Sequence, residues 1–493
     1  MRAQKKSPKL LVANRSEIAC RIFQTCREMG IPTVGIFAPG DEQSRHVTYA
    51  DEVVEVGGYL DIHSILQAAK QTQSTLIHPG YGFLSERPAF AQAVEEAGLT
   101  FVGPRAETMR LMGDKIAAKD LAQAHQVPTL PWAKIPLGSD LFEAARTVGY
   151  PLLLKAAAGG GGKGMRLVRQ EQDLQQAAES ARAEALAAFG DGTLFFEHYV
   201  ESPRHIEVQV FGDGQGGGVH LRERECSLQR RHQKIWEEAP AVHLGDETRE
   251  ALYEAAMRLV AATSYLSAGT LEFLVDSRER FYFLEMNTRL QVEHPVTELI
   301  TGVDLVWAQI ALALNPDRFP LKQPPVSRGH AIEVRLYAED PAQGFIPTPG
   351  RIEKLKWPTG HGIRIESGIE EGQSIGVQFD SMLGKLIVLG ESREQALARL
   401  RFALEETVIL GSGTNQNYLM RVAEHPRVVQ GKVHTHFLEK EFAPFEPKPS
   451  DEELELFLAL KRKAVGRSIG FSGGSSIGEE QALFPSPWFV ARK

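Results

Sequence analysis

The residues from Glu285 to Glu293 alternate polar and apolar side chains: Glu-Met-Asn-Thr-Arg-Leu-Gln-Val-Glu. If this run is extended, its period of two puts Glu285, Asn287, Arg289, Gln291 and Glu293 on one face. A face that mixes acids, amides and a guanidinium suits the floor of a site that binds an anion and a metal ion. Upstream, Leu271–Asp276 and Phe281–Asn287 read as two arms of a hairpin around Ser277-Arg278-Glu279-Arg280. With Asp276 opposite Phe281, an antiparallel register sets Glu272 opposite Glu285, with Cβ atoms about 5 Å apart. Two carboxylates so close repel unless protonated or bridged by a cation. Mg²⁺ is the natural bridge beside a phosphate site, since it takes carboxylate and phosphate oxygens together, and Asn287 would add a third oxygen. The plainer alternative is a surface hairpin with both glutamates in water.

A second feature is the run Ala158-Gly159-Gly160-Gly161-Gly162-Lys163-Gly164-Met165. Glycines without Cβ let backbone N–H groups close onto phosphate oxygens. Gly159, Gly161 and Gly164 fit G-x-G-x-x-G, but Met165–Val168 reads as a strand where the dinucleotide fingerprint needs a helix. Lys163 is followed by Gly164 where a Walker A loop carries Ser or Thr. What remains is a glycine turn between two strands, preceded by Lys155: a mobile lid over a triphosphate, or a flexible surface hairpin.

The elements that must position these residues follow from apolar patterning. Leu10–Ala13, a helical Glu17–Met29 closed by Gly30, and Pro32–Phe37 open a βαβ alternation. It continues through Asp51–Val56, Thr75–His78 and Thr100–Gly103, which implies a parallel α/β domain. Prolines 128, 131 and 136 mark a hinge into a small insert of strands and one Ala-rich helix, Gln172–Ala188. The expected divisions are an N-terminal α/β domain over 1–115 and a central domain over 116–330 that includes a lid at about 134–204. A mixed α+β domain over 331–445 and a tail over 446–493 complete them. The tail's Glu-Pro-Lys-Pro segment, short helix (Asp451–Lys463) and Gly/Ser stretch read as a linker or docking segment.

Composition narrows the class. A net charge of −8 argues against a nucleic-acid binder, and Arg222, Arg224, Arg230, Arg231 and Lys234, interleaved with glutamates, read as a solvated face. No apolar run approaches the ~20 residues needed to span a bilayer. With no secretory signal recognisable, a cytoplasmic location is expected. Cys20, Cys26 and Cys226 have neither disulfide nor zinc spacing.

The chain resembles biotin carboxylases over roughly residues 8–442. In the first domain the resemblance is carried by Asn14-Arg15-Ser16-Glu17-Ile18-Ala19, His78-Pro79-Gly80-Tyr81-Gly82-Phe83-Leu84-Ser85-Glu86 and Met112-Gly113-Asp114-Lys115. Beyond it, Pro203–Gln209, Gln229-Arg230-Arg231-His232-Gln233-Lys234 and Glu285–Pro295 match as well. The resemblance implies an ATP-grasp fold with an N-terminal parallel domain, a glycine-rich lid and a mixed C-terminal domain. It also implies a two-step reaction: ATP phosphorylates bicarbonate to carboxyphosphate, and biotin then attacks the released CO₂ at N1′.

By the same resemblance, Lys115, Lys155, Gly160, Gly161, Gly162, Lys163 and Gly164 hold phosphates. Glu197, His205, Gln229 and His232 belong to the nucleotide pocket. Glu272 and Glu285 carry Mg²⁺ (or Mn²⁺) with Asn287 beside them. Lys234, Arg289, Gln291, Val292 and Glu293 form the bicarbonate cradle; Glu293 is similar to the general base, and Arg335 to the residue that stabilises the biotin enolate. Tyr81 lies by the biotin pocket. No Ala-Met-Lys-Met occurs, so the biotin is expected on a separate carrier protein or domain, serving carboxyltransferase subunits of an acetyl-CoA or acyl-CoA carboxylase.

A homodimer is implied, although Gln24 stands where bacterial relatives use Arg at the dimer helix, and Lys163 stands where many have Arg. The rival readings are another ATP-grasp ligase, such as a carbamoyl-phosphate synthetase-like enzyme, and a non-catalytic nucleotide-sensing subunit. The first would lack the Arg289–Glu293 ladder together with Arg335; the second need not keep opposed acids.

Overall fold

The computed structural model describes residues 7–135, 140–157, 165–190, 192–231, 233–442 and 445. The glycine run from Ala158 to Gly164, His232 and the 446–493 tail lie outside the described residues.

The N-terminal region is the expected parallel sheet. Its strands are β1 (Leu10–Val12), β2 (Thr33–Phe37), β3 (Glu52–Glu55), β4 (Leu76–His78) and β5 (Thr100–Phe101), in the order β3-β2-β1-β4-β5. β1, β2 and β4 are almost wholly buried, as strands covered by helices on both faces must be. The helix Ser16–Glu28 places Ile18, Ala19, Ile22, Phe23 and Cys26 in the core at helical spacing. The long helical segment expected from Ala106 is two helices, Ala106–Gly113 and Lys115–Ala124. They break at Asp114, whose carboxylate accepts from the backbone N–H groups of Ile116 and Ala117.

The insert carries β6 (Trp132–Ile135), β7 (Leu152–Ala156), β8 (Arg166–Val168) and β9 (Leu194–His198) in an antiparallel sheet ordered β6-β9-β7-β8. The helix Leu174–Phe189 lies over it and buries Leu174, Ala178, Ala181 and Ala185.

The rest of the molecule is organised by one eight-stranded antiparallel sheet. Its strands are β10 (Arg204–Asp213), β11 (Gly218–Arg230), β12 (Gln233–Ala239), β13 (Leu266–Val275), β14 (Phe281–Asn287), β15 (His330–Tyr337), Ile363–Ser367 and Met382–Gly390. Their order is β14-β13-β10-β11-β12-β15, then Met382–Gly390 and Ile363–Ser367. The sheet therefore runs without a break across residue 330. The helix His294–Thr301 packs Val296 and Ile300 against Ala239, Ala331 and Ile387, which seats its N-terminus over β12 and β15. No single helix among the described residues is long and apolar enough to cross a membrane.

Candidate active site

The hairpin β13–β14 delivers the expected acid pair by a different route. Pairing runs Val275–Phe281, Leu274–Tyr282 and Phe273–Phe283, then shifts by one so that Glu272 faces Glu285. The expected partner of Phe281, Asp276, belongs to the turn: its carboxylate accepts from the N–H groups of Arg278 and Arg280 at 2.9 and 3.0 Å. Leu284 is the extra residue of a β-bulge, and that bulge restores the Glu272–Glu285 register which the turn had displaced. Glu272 also faces Glu207 on β10, and Glu207 faces Arg224 on β11. One row across four strands thus reads Arg224, Glu207, Glu272, Glu285.

The polar ladder is not one strand. β14 ends at Asn287, and residues 288–293 turn into the helix that starts at His294. The turn still brings the side chains together, through hydrogen bonds in place of strand periodicity. Arg289 donates to Asn287 Oδ1 (3.1 Å) and Gln291 Oε1 (2.9 Å), and pairs with Glu86 at 3.0 Å. Asn287 and Gln291 turn their amide N–H groups to Glu272 Oε1, at 2.8 and 3.3 Å. Thr288 N–H donates to Glu86, which ties the turn to the N-terminal domain.

Lys234 is the hub. Its Nζ contacts Glu207 at 2.5 Å, Glu293 at 2.7 Å and Glu272 at 2.8 Å. Arg335 reaches Glu293 Oε2 at 2.9 Å and Glu237 at 2.5 Å. Glu293 is fully buried, and burial alone would raise its pKa; the charges of Lys234, Arg335 and Arg224 override this and hold it well below the carboxylate range. Burial likewise opposes ionisation of Glu272, and Lys234 with His205 (3.0 Å) reverses the sign. Lys234 is itself held charged: burial would lower its pKa, and its three glutamate neighbours push it well above the usual value.

Where the insert meets the helix Lys115–Ala124, Lys155 on β7 and Lys119 both bind Glu197 on β9. Burial works against the Glu197 carboxylate, yet the two ammonium groups bring its pKa down to about 2. Lys115 lies 3.6 Å from Glu285. The Gln229 amide is 2.7 Å from His205 Nδ1 and donates to the Cys226 carbonyl. Gly160, Gly161, Gly162, Lys163, Gly164 and His232 are outside the described residues. Tyr81 follows Gly80, whose φ of +62° is a left-handed conformation open to glycine. Asn14 holds this turn by donating to the carbonyls of Pro79 and Tyr81, and the buried Tyr81 hydroxyl donates to Glu17. The Val292 carbonyl accepts from Lys385 at 2.7 Å, and Lys385 Nζ lies 5.7 Å from the Tyr81 ring centroid.

Several members of this cluster carried no signal in the sequence. Glu207 and Lys119 are buried without having stood out, and the basic cluster read as a solvated face is corrected: Arg224 is fully buried on Glu207, Arg230 is buried on Glu339, and Lys234 turns inward to the three glutamates. Lys385, also fully buried, interrupts the apolar strand Met382–Gly390. A charged residue inside an apolar run is the one hint available, because a lone buried charge is costly without a partner.

The donor set near Glu272 and Glu285 is carboxylate and amide oxygen, the chemistry that Mg²⁺ prefers. Glu272 is met here by Lys234, His205 and two amide N–H groups, which compensate the negative charge that a metal ion would otherwise neutralise. Asn287 presents its amide N–H to Glu272 and its oxygen to Arg289.

The family profiles match in the order of these regions: Biotin carboxylase, N-terminal domain, over residues 6–109; Carbamoyl-phosphate synthase L chain, ATP binding domain, over 114–318; and Biotin carboxylase C-terminal domain over 333–440. The chain is 45% identical over 441 residues to the biotin carboxylase of Pseudomonas aeruginosa, covering 88% of this chain and 98% of that one. It is also 45% identical over 473 residues to the mouse mitochondrial methylcrotonoyl-CoA carboxylase subunit alpha, covering 93% of this chain. The match spans 66% of that subunit, just under two thirds of its length. Among solved structures, the biotin carboxylase–beta-gamma-ATP complex from Campylobacter jejuni superposes with a TM-score of 0.84 at 41% identity, over 88% of this chain and 98% of that one. The biotin carboxylase domain dimer of Hydrogenobacter thermophilus 2-oxoglutarate carboxylase, in complex with MgADP, ADP and bicarbonate, gives 0.86 at 43% identity over 90% and 99%. The chain belongs to the biotin carboxylase family of ATP-grasp enzymes, which carboxylate biotin at the expense of ATP.

Proposed function

We propose that Glu293 is the general base and Lys234 the anion-holding cation of an ATP- and bicarbonate-dependent biotin carboxylase, the first half-reaction of an acyl-CoA carboxylase. The observation that carries this is the Lys234 hub, where one ammonium joins Glu207, Glu272 and Glu293, with Arg335 on the far side of Glu293. Bicarbonate is a planar anion that Arg289 can grip through its fork, with the Gln291 amide and the Val292 backbone alongside. Glu293, held ionised by Lys234 and Arg335, can accept the bicarbonate proton and so expose the oxygen that attacks the γ-phosphate of ATP. The P–O bond to ADP breaks as the new one forms, giving carboxyphosphate, which releases CO₂ and phosphate.

Lys115, Lys155, Gly160, Gly161, Gly162, Lys163 and Gly164 would neutralise the ATP phosphates, while Glu197, His205, Gln229 and His232 line the nucleotide pocket. Positioning and charge neutralisation are the main needs of phosphoryl transfer. Glu272, Glu285 and Asn287 would hold Mg²⁺, which supplies Lewis-acid neutralisation of the phosphate oxygens. Arg335 offsets charge developing on the biotin ureido oxygen, and Tyr81 borders that pocket.

By analogy with the longer relatives, the biotin is carried on a partner protein or domain and is passed to carboxyltransferase subunits, with the chain acting as a homodimer. The proposed organisation is 1–115, 116–330 with the lid at about 134–204, 331–445, and a tail over 446–493. ADP release with MgATP and bicarbonate should rise on adding free biotin or a biotinylated carrier domain. No rise with either would favour another ATP-grasp ligase.

A further inference from the structure

Next to the proposed base lies a second pair of acids that the scheme above does not use. Glu237 on β12 and Glu333 on β15 face each other in register, both with no exposed surface. Cross-strand neighbours have Cβ atoms about 5 Å apart. Arg335 forms an ion pair with Glu237 Oε1, while Glu237 Oε2 and both carboxyl oxygens of Glu333 lack a hydrogen-bond partner among the described residues.

Two buried ionised carboxylates at this spacing would repel with little water to screen them. One proton shared between them changes the arithmetic. A carboxyl O–H then donates to the neighbouring carboxylate, which serves one oxygen of each acid and leaves a single negative charge. That charge faces Arg335, whose other partner is Glu293.

We propose that Glu237 and Glu333 form a carboxyl–carboxylate pair that holds one proton and positions Arg335 against Glu293. The role rests on the assignment of Arg335 and Glu293 given above. Every packed element contributes to the balance. Lys234 lies on β12, Arg335 and Tyr337 on β15, Lys385 on Met382–Gly390, and Arg364 and Glu366 on Ile363–Ser367. Tyr81 comes from the N-terminal domain, and Glu293 with His294 from the start of the covering helix. Lys385 pairs with Glu366 at 2.6 Å, so it is already matched, and Lys234 is shared by three other acids. Arg335 is thereby the pair's direct ion-pair partner among the described residues, with Lys385 acting on Glu333 at longer range. Burial pushes Glu237 up to about 7 and Glu333 well above the carboxylate range, in keeping with a retained proton.

The sign of the pH effect follows. As pH rises and the shared proton leaves, the pair gains a second negative charge and draws Arg335 from Glu293, so activity falls on the alkaline side. The test uses infrared difference spectroscopy of the full chain, titrated from acid to alkaline pH, beside the pH profile of biotin-dependent ADP release. Wild type should show a buried protonated-carboxyl stretch at neutral pH that disappears over the same range in which activity falls. Glu333→Gln should remove that band and shift the alkaline limb by at least about one pH unit. Glu237→Gln should raise the KM for biotin about tenfold, with a smaller effect on the KM for ATP. Absence of the band in wild type, or an unchanged alkaline limb in Glu333→Gln, would overturn the proposal. Because the band is read without turnover, its absence in an enzyme that responds to biotin sinks this inference alone. A chain that shows the band but no biotin response sinks the catalytic reading instead.

Discussion

Two carboxylate clusters lie on neighbouring strands of one sheet, equally removed from water, and burial acts on them in opposite company. Around Lys234, the acids Glu272 and Glu293 each meet at least two cationic side chains and are held ionised. One step across the sheet, Glu237 has Arg335 as its direct cation, Glu333 has no ion pair among the described residues, and burial pushes both toward the neutral form. Burial alone would raise all four. Direct contact with cations, set against neighbouring acids, decides the sign, and so separates the proposed base from the proposed proton-keeping pair.

The comparison can be broken by removing the hub. Lys234→Ala would leave Glu207, Glu272 and Glu293 without their shared cation. Stranding buried charge in this way costs about 3–5 kcal/mol, read as a lower denaturant midpoint at neutral pH. A midpoint close to wild type would mean that the acids do not depend on Lys234.

A nearly comparable effect is expected at Glu197 in the β6–β9 insert. The Glu197 carboxyl, depressed to about 2 against an ordinary value near 4.5, stabilises the fold fully above the ordinary value. That stability, about 3 kcal/mol at most for the shift, is lost as pH falls through the folded value. Acid unfolding of Glu197→Gln should show a shallower dependence over this range than wild type.

The proton-keeping pair should respond the other way. Its contribution is present below the ordinary carboxylate pKa and is lost as pH rises through about 7 for Glu237. Glu333→Gln is expected to change stability at neutral pH by less than about 1 kcal/mol and to flatten the loss on the alkaline side.

How much of this was legible beforehand differs between the two clusters. Glu272, Glu285, Arg289, Gln291 and Glu293 stood out because acids and amides alternate with apolar residues near one hairpin. The opposed acids were placed correctly although the assumed turn register was off by one, since Leu284 bulges and compensates. Extension of the ladder to Glu293 was not correct: the chain turns after Asn287, and hydrogen bonds to Arg289 do the gathering. The βαβ opening was readable from its apolar strands and the glycine stop at Gly30. Glu207, Glu237, Glu333 and Lys385 were not, because their significance lies in which strands become neighbours. β12 meets β15 across ninety intervening residues, a long-range pairing that no local pattern encodes.

The most direct test of the central claim compares wild type with Glu293→Gln, measuring bicarbonate- and biotin-dependent ADP release alongside equilibrium binding of MgATP. If Glu293 takes the bicarbonate proton, the variant should bind MgATP about as well as wild type and release ADP roughly 10²–10³-fold more slowly. Full-rate ADP release from Glu293→Gln would contradict the account.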